Sequence, residues 1–345
     1  MHQIVIVGGG VGGLELAIRL GRSAGKKGKA AITLIDRGLT HLWKPLLHEV
    51  AAGTLDSSFE EIDYLTLGRR NGFRFRPGSL TGLDRAQKTV QLAPIIDAKG
   101  EQIIADCSVH AMLRNLFLKL MYRYERGSTV FPTLHVAIVG AGATGVELSA
   151  ELHNVADKIK GFGFDHLAQS KPIHITLIEA APRILPALPE KLAAAAERQL
   201  KEIDVEIVTS GRVQSVTEEA IILSSGQRVP ANLKVWAAGI KAPEFFKNLD
   251  GLETNRINQI MVQQNLMTPK DENIFALGDC AHCPQPGTDL PVPPRSQSAH
   301  QQAAVLCKTL LRRLNGGAAF DFVYHDYGSL VSLSQPVTCC SVKRK

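Results

Sequence analysis

The sequence predicts an α/β protein of two Rossmann-like dinucleotide-binding domains, the second inserted in the first. Three observations carry this. The apolar, β-branched run HVAIV (His135 to Val139) leads into GAGATGVELSAEL, so a strand feeds a glycine-rich turn and then an amphipathic helix. The same arrangement stands at the start in QIVIVGGGVGGLELAIRL, where the strand Ile4 to Val7 precedes Gly8, Gly10 and Gly13, 132 residues before the matching Gly140, Gly142 and Gly145. Each unit then reaches a second apolar strand ending in an acid, AAITLID at Asp36 and IHITLIE at Glu179.

The spacing G-x-G-x-x-G has a physical reading. The first glycine makes the tight turn, the second lets a pyrophosphate approach the backbone, and the third lets the helix pack closely. The phosphates then meet the free N–H groups and positive dipole end of the helix. An acid at the end of the next strand can accept hydrogen bonds from a ribose diol and disfavours an extra 2′-phosphate. Both acids lie further from their glycines than the usual spacing of about 20 residues. The basic loop Arg22 to Lys29 accounts for the first delay, and a helix extended through KIKGFGFDHL for the second. A lone motif reads equally as a glycine turn in any α/β domain; two motifs, each with its acid, imply two dinucleotides on one chain.

The 345 residues suffice for two domains, and 45% hydrophobic with 21% charged residues is an ordinary globular balance. A net charge of +6 is compatible with a nucleotide, a membrane surface or nucleic acid. No nucleic-acid motif accompanies it, and the cations are scattered apart from RSAGKK and the terminal KRK. The opening MHQIVIV runs straight into a core strand, so no signal peptide is expected, and no run of about 18 apolar residues is present to cross a bilayer. Cys280 and Cys283 form a CxxC, Cys339 and Cys340 are adjacent, and Cys107 and Cys307 stand alone. This is no disulfide framework, no metal site is expected, and a reducing, cytoplasmic setting is implied.

Along the chain, a first helix over Val11 to Arg22 places Leu14, Ala17 and Leu20 on one face. In RGLTHLWKPLLHEVAAG, Trp43, Leu46 and Leu47 read equally as core or as a cofactor wall, and Lys44 brings a cation near phosphate or flavin. Between Phe73 and Ile104, KTVQL and EQII flank DAKG as a hairpin. A doubly wound domain should then return a strand to its sheet, yet EQIIADCSVHAMLRNLFLKLMYRYERG passes directly into a connector helix, leaving a gap near residues 105–115. Later, LKVWAAGI ends in Ala238 and Gly239, small residues that suit either a flat ring or a tight strand exit. ENIFALGDCAHC ends a strand at Gly278 and Asp279, whose backbone and carboxylate suit a ribityl chain. After two prolines, SQSAHQQAAVLCKTLLRRL opens a helix whose first turns hold Gln297, His300 and Gln301, with Gln297 and His300 at i, i+3. The end, from FVYHDYGSLVSLS, begins as a β-segment and dissolves into polar and basic residues.

Taken together, the two glycine-rich units, HLWKPLLHEVAAG, GAGATGVELSAEL, WAAGI, FALGDCA and PPRSQSAHQQA resemble type II NADH:quinone oxidoreductases, over residues 1–105 and about 115–334. The resemblance implies a NADH domain inserted in an FAD domain: 1–125 as the first part of the FAD domain, 126–260 as the NADH domain, 261–334 as the second FAD part, and 335–345 as an atypical tail. By the same resemblance Gly8, Gly10, Gly13, Asp36, Lys44, Gly278 and Asp279 serve FAD. Gly140, Gly142, Gly145, Glu179, Ala238 and Gly239 serve NADH. Glu147 matches the carboxylate near nicotinamide and flavin, although it also reads as an exposed acid stabilised by the helix dipole. Gln297, His300 and Gln301 match the border of the quinone site, and Cys280 appears in the family pattern without redox work.

The implied chemistry is ping-pong: hydride from NADH to flavin, then two electrons to a quinone, with no proton pumping. The resemblance also implies peripheral attachment to the cytoplasmic side of a membrane and leaves a homodimer open. Two departures bear on this: some tens of residues absent near 105–115, and QPVTCCSVKRK where the family has an amphipathic membrane-binding region. They leave two other functions in view, a soluble NADH-dependent flavoprotein reductase with another acceptor, and a shortened, non-catalytic remnant with weak FAD binding.

Overall fold

The computed structural model describes residues 1–41, 62–93, 133–160, 173–333 and 338–341. These fall into two compact units. One takes its described residues from 1–41, 62–93 and 240–326, the other from 133–160, 173–239, 327–333 and 338–341.

In the first unit, β1 (His2–Val7) pairs in parallel with β2 (Ala30–Asp36), and β2 pairs with β5 (Arg74–Pro77). Between β1 and β2 runs α1 (Val11–Leu20), which buries Leu14, Leu16, Ala17 and Leu20. The expected helix to Arg22 instead passes into a π-helical turn, Gly21–Gly25. The short ladder of β3 (Thr40–His41) with β4 (Ile62–Asp63) leads into α2 (Tyr64–Asn71), capped by Asp63 Oδ1 accepting from Thr66 N–H at 2.6 Å. β6 (Ser79–Asp84) and β7 (Thr89–Ala93) form an antiparallel hairpin. KTVQL therefore turns back onto the segment before it, because Asp84 Oδ1 accepts from Gln87 N–H and Lys88 adopts φ 52° in the intervening turn. The DAKG turn and EQII lie outside the described residues, as do the gap at 105–115, the connector helix and Lys44.

A parallel strand that opens a doubly wound sheet normally has neighbours on both sides. Here β1 has β2 on one side, and among the described residues no strand pairs with its other edge. Val5 and Val7, on one face of β1, are 46% and 42% exposed.

The second unit has the order β10-β9-β8-β14, from β8 (Leu134–Val139), β9 (Ile173–Ile178), β10 (Glu206–Val208) and β14 (Leu233–Trp236), all parallel. β8 is buried on both faces. Val136 and Ile138 pack with Leu148 and Leu152 of α3 (Ala143–Lys160) and with Ala196 and Leu200 of α4 (Glu190–Glu202). Ala137 and Val139 face the antiparallel meander β11 (Val213–Val216), β12 (Ala220–Leu223) and β13 (Arg228–Pro230). Each large aliphatic side chain buried this way stabilises the unit by about 1.5–3 kcal/mol. Helix α3 reaches Lys160, and its expected continuation to Leu167 lies outside the described residues.

After Gly239 the chain returns to the first unit, where Leu249, Leu252, Ile260 and Val262 join its core. The short pairs β15 (Ile260–Met261) with β18 (Ala281–His282), and β16 (Met267–Thr268) with β17 (Asp271–Phe275), then lead to α5 (Ser296–Arg313). The chain crosses again after Asp326, since Val331 and Leu333 belong to the core of the second unit. These crossings differ from the sequence boundaries at 260 and 334. The end does not simply dissolve into polar chain: β19 (Ser329–Ser332) pairs antiparallel with β20 (Thr338–Ser341).

Candidate functional site

The two glycine-rich turns are built alike. Gly8 N–H donates to Ile35 O at 2.8 Å and Gly140 N–H to Ile178 O at 2.7 Å, which carries each turn across to the neighbouring strand. Gly8 and Gly140 take φ of 98° and 103°, a conformation side chains rarely adopt. A Cβ at Gly13 or Gly145 would lie 1.9 Å from the carbonyl oxygen of Gly8 or Gly140, so the helix touches the turn without room for a methyl group. At Gly10 and Gly142 no atom beyond the chain neighbours comes within 4 Å of that position, leaving open space above each helix start. Such a cradle fits a pyrophosphate.

The acids close each cradle in the same way. Asp36 accepts from Gly9 N–H at 2.5 Å and Gly38 N–H at 2.8 Å. Glu179 accepts from Ala141 N–H and Ala181 N–H, both at 2.8 Å. Their remaining lone pairs can accept from ribose hydroxyls. Four residues after Glu179, Arg183 donates to the carbonyls of Leu185, Pro186 and Leu188 at 2.9–3.0 Å, so this cation is held by the main chain.

The loops differ at the carbonyl of their middle residue. The carbonyl of Gly9 faces two side chains, Tyr64 Oη donating at 2.7 Å and His41 Nδ1 at 2.8 Å, both nearly fully buried. Burial, then the negative charge of Asp36, pushes the Tyr64 hydroxyl well above its ordinary range, which keeps it a donor. The matching carbonyl, on Ala141, accepts from Leu185 N–H at 2.8 Å.

Also in the first unit, Gly278 N–H donates to Gln302 Oε1 at 2.7 Å, and Gln259 Nε2 donates to Asp279 O at 2.9 Å. Both glutamines are buried and fix this segment, while the Asp279 side chain stands exposed. Gln301 clasps the main chain of His325 twice, accepting from its N–H at 2.9 Å and donating to its carbonyl at 2.8 Å. Gln297 reaches Asp326 Oδ1 at 3.5 Å. His300 leans instead on α1, with Nδ1 2.5 Å from Glu15 Oε2, and is 57% exposed. The structure thus groups Gln297 with Gln301 at the 325–326 segment and gives His300 a different partner.

In the second unit, Glu147 sits in the first turns of α3, half-buried, and its Oε1 accepts from Ser332 N–H at 3.1 Å. A Cβ on Gly140 would meet the backbone of Ala238 at 2.7 Å, so the turn and the end of β14 touch. The crevice between β8 and β14 is the switch point of this sheet, where ligands of open α/β sheets bind.

Cys280, Cys283 and Cys307 are free, and burial pushes the Cys283 thiol up to about 11. Cys280 is raised by burial as well. Both are thiols at neutral pH, the wrong state for disulfide exchange. Among the described residues no His/Cys/Asp/Glu group is arranged to hold a metal, and no helix is long and apolar enough to cross a membrane. Tyr64, His41, Gln259, Gln302 and Arg183 were not singled out by sequence, since each acts on main-chain atoms that no motif marks.

The fold and paired cradles define a class, and the comparisons with known proteins agree with it. Residues 2–303 match the family model for pyridine nucleotide-disulphide oxidoreductases, and the chain belongs to that family. The structure of NDH2 from Plasmodium falciparum in complex with NADH superposes with a TM-score of 0.81 at 17% identity, over 99% of this chain and 90% of that one, which bears on the fold. Within the family, the type II NADH:quinone oxidoreductase of Haemophilus influenzae is 37% identical over all of this chain and 88% of its own length. That of Staphylococcus aureus is 26% identical over 96% of this chain and 87% of its own. The chain is an enzyme of this type II group, an NADH-dependent flavoprotein oxidoreductase whose cofactors are FAD and NADH. The Haemophilus alignment spans 392 positions against 345 residues here, so 47 positions of that relative have no counterpart in this chain.

Proposed function

We propose that the chain passes hydride from NADH to FAD and two electrons on to a membrane quinone, without pumping protons. Its FAD domain would comprise 1–125 and 261–334 and its NADH domain 126–260, although the compact units cross after Gly239 and Asp326. The carrying observation is the duplicated cradle, glycine turn and doubly held acid, once in each unit. Gly8, Gly10, Gly13, Asp36, Lys44, Gly278 and Asp279 would hold FAD, because the 278–279 segment belongs to the same unit as the first turn. Gly140, Gly142, Gly145, Glu179, Ala238 and Gly239 would hold NADH.

When bound, FAD supplies the two-electron chemistry, and the side chains align and exclude. Glu147, held by Ser332 N–H, sets the charge at the start of α3. Gln297 and Gln301 fix the 325–326 segment as a wall of the acceptor site. His300, paired with Glu15 at the surface, can hand on a proton as the quinone takes up electrons. A quinone acceptor draws the enzyme to the cytoplasmic face of a membrane. Vesicles containing quinone should support NADH oxidation and sediment the protein; turnover with soluble acceptors alone would mark a soluble reductase.

That no strand among the described residues pairs with the other edge of β1 favours a second reading, a chain that binds NADH and holds FAD weakly. The visible spectrum of the purified protein decides between them. An oxidised-flavin spectrum that bleaches on anaerobic NADH supports the oxidoreductase; a colourless protein that resists reconstitution with FAD supports the second reading.

A further inference from the structure

The two cradles differ at the main-chain oxygen of the middle loop residue. In the second loop the Ala141 carbonyl accepts from one main-chain N–H, that of Leu185. In the first, Gly9 offers its carbonyl to Tyr64 Oη at 2.7 Å and His41 Nδ1 at 2.8 Å, while its N–H donates to Asp36 Oδ2. Tyr64 is 3% and His41 4% exposed. A carbonyl can only accept, so the His41 contact requires the proton on Nδ1. A Cβ on Gly9 would fall 2.2 Å from the Tyr64 hydroxyl oxygen, so the tyrosine occupies the space a larger residue would need.

The consequence follows from peptide geometry. The Gly9 carbonyl and the Gly10 N–H belong to one planar trans peptide and point in opposite directions. Two donors that fix the carbonyl therefore aim the Gly10 N–H the other way, and Gly10 is the residue at the N-terminus of α1 with open space around it. The paired strands β3 and β4 make this possible by bringing His41 beside Ile62, two residues before Tyr64.

We propose that Tyr64 and His41 are positioning residues for the flavin dinucleotide, aiming the Gly10 N–H at its pyrophosphate through the Gly9 carbonyl. The proposal rests on the assignment of FAD to the first glycine turn. Among the described residues the clamp is found at the first loop and not at the second, so its loss should affect FAD and spare NADH.

The test uses the flavin-loaded full chain. FAD release is followed by free-flavin fluorescence after dilution, and NADH binding is titrated in the same preparations. Removing one donor from a buried carbonyl should speed FAD release about tenfold in Tyr64→Phe and in His41→Leu. His41→Asn, whose amide can donate from the place of Nδ1, should recover most of the loss, which a purely space-filling role would not produce. NADH affinity should match the parent protein throughout. Unchanged release in both Tyr64→Phe and His41→Leu overturns the proposal, as does an equal fall in NADH affinity, which would show general loosening. Should Tyr64→Phe fail to fold, the comparison of His41→Leu with His41→Asn decides alone. A parent chain that cannot be loaded with FAD would overturn the assignment of the first turn, and this proposal with it.

Discussion

At the scale of single residues, each acid is already held twice by main-chain N–H groups before any ribose arrives, so its carboxylate is fixed in place. Preset acceptors lose little freedom on binding. Glu179→Ala should weaken NADH binding by roughly ten- to a hundredfold, the range expected for hydrogen bonds to a charged group. NADPH should not replace it, because Arg183 is tied to three carbonyls and cannot turn to a 2′-phosphate without breaking them. Fluorescence titration with both nucleotides checks this, and unchanged NADH affinity would remove Glu179 from the ribose site. The third glycines give a cleaner pair. A methyl at Gly145 must displace the turn 1.9 Å away, so Gly145→Ala should lose NADH while keeping flavin, and Gly13→Ala should do the reverse. Absorption spectra and NADH titrations of the two variants read this directly. Glu147→Gln keeps an acceptor for Ser332 N–H and removes the charge. It should slow single-turnover flavin reduction without loosening the hairpin, and an unaltered rate would take Glu147 out of the hydride step.

Among elements, what sequence reveals depends on whether a residue acts through its own type or through a distant partner. The strand, turn and helix of each cradle were legible because only glycine satisfies the turn and the close helix contact, and because both acids end apolar strands. Tyr64 and His41 were hidden, since they grip a carbonyl 55 and 32 residues away. Gln302 and Gln259 serve backbone groups 24 and 20 residues away, and read as ordinary polar helix and loop residues. The pairing of β7 with the segment before it was missed because DAKG is the stronger turn pattern, while the turn used here depends on the Asp84 side chain and a strained Lys88. The pairing of Thr338–Ser341 onto β19 was missed because a short polar and cysteine-rich segment has no apolar alternation. Among the described residues β1 has an unpaired edge, and its Val5 and Val7 are exposed. Exposed edge strands recruit other chains, and a lysine there opposes it. Val5→Lys should slow aggregation, measured by light scattering, and leave the melting temperature unchanged; a large fall in melting temperature would show that the edge is covered.

For the whole molecule, two compact units on one chain imply two stabilities that can be addressed separately. One core gathers around β1, β2, α1 and α5, the other around β8, β9, α3 and α4, with β19 contributing Val331. A ligand that binds only the folded form stabilises what it binds by mass action, by about 2.7 kcal/mol at a hundred times its dissociation constant. FAD should therefore raise the melting of the first unit, and NADH that of the second. Calorimetry of the flavin-free chain with each ligand in turn should shift different parts of the transition. Gly13→Ala and Gly145→Ala then identify which part belongs to which unit, because each should abolish one shift and leave the other. If NADH moved the same part as FAD in the parent protein and in both variants, the two cradles would not be independent binding sites. The assignment of one nucleotide to each turn would then have to be abandoned. If FAD moved nothing while NADH still acted, the first turn would not hold flavin in this chain, and the reading of a chain that binds NADH and holds FAD weakly would stand.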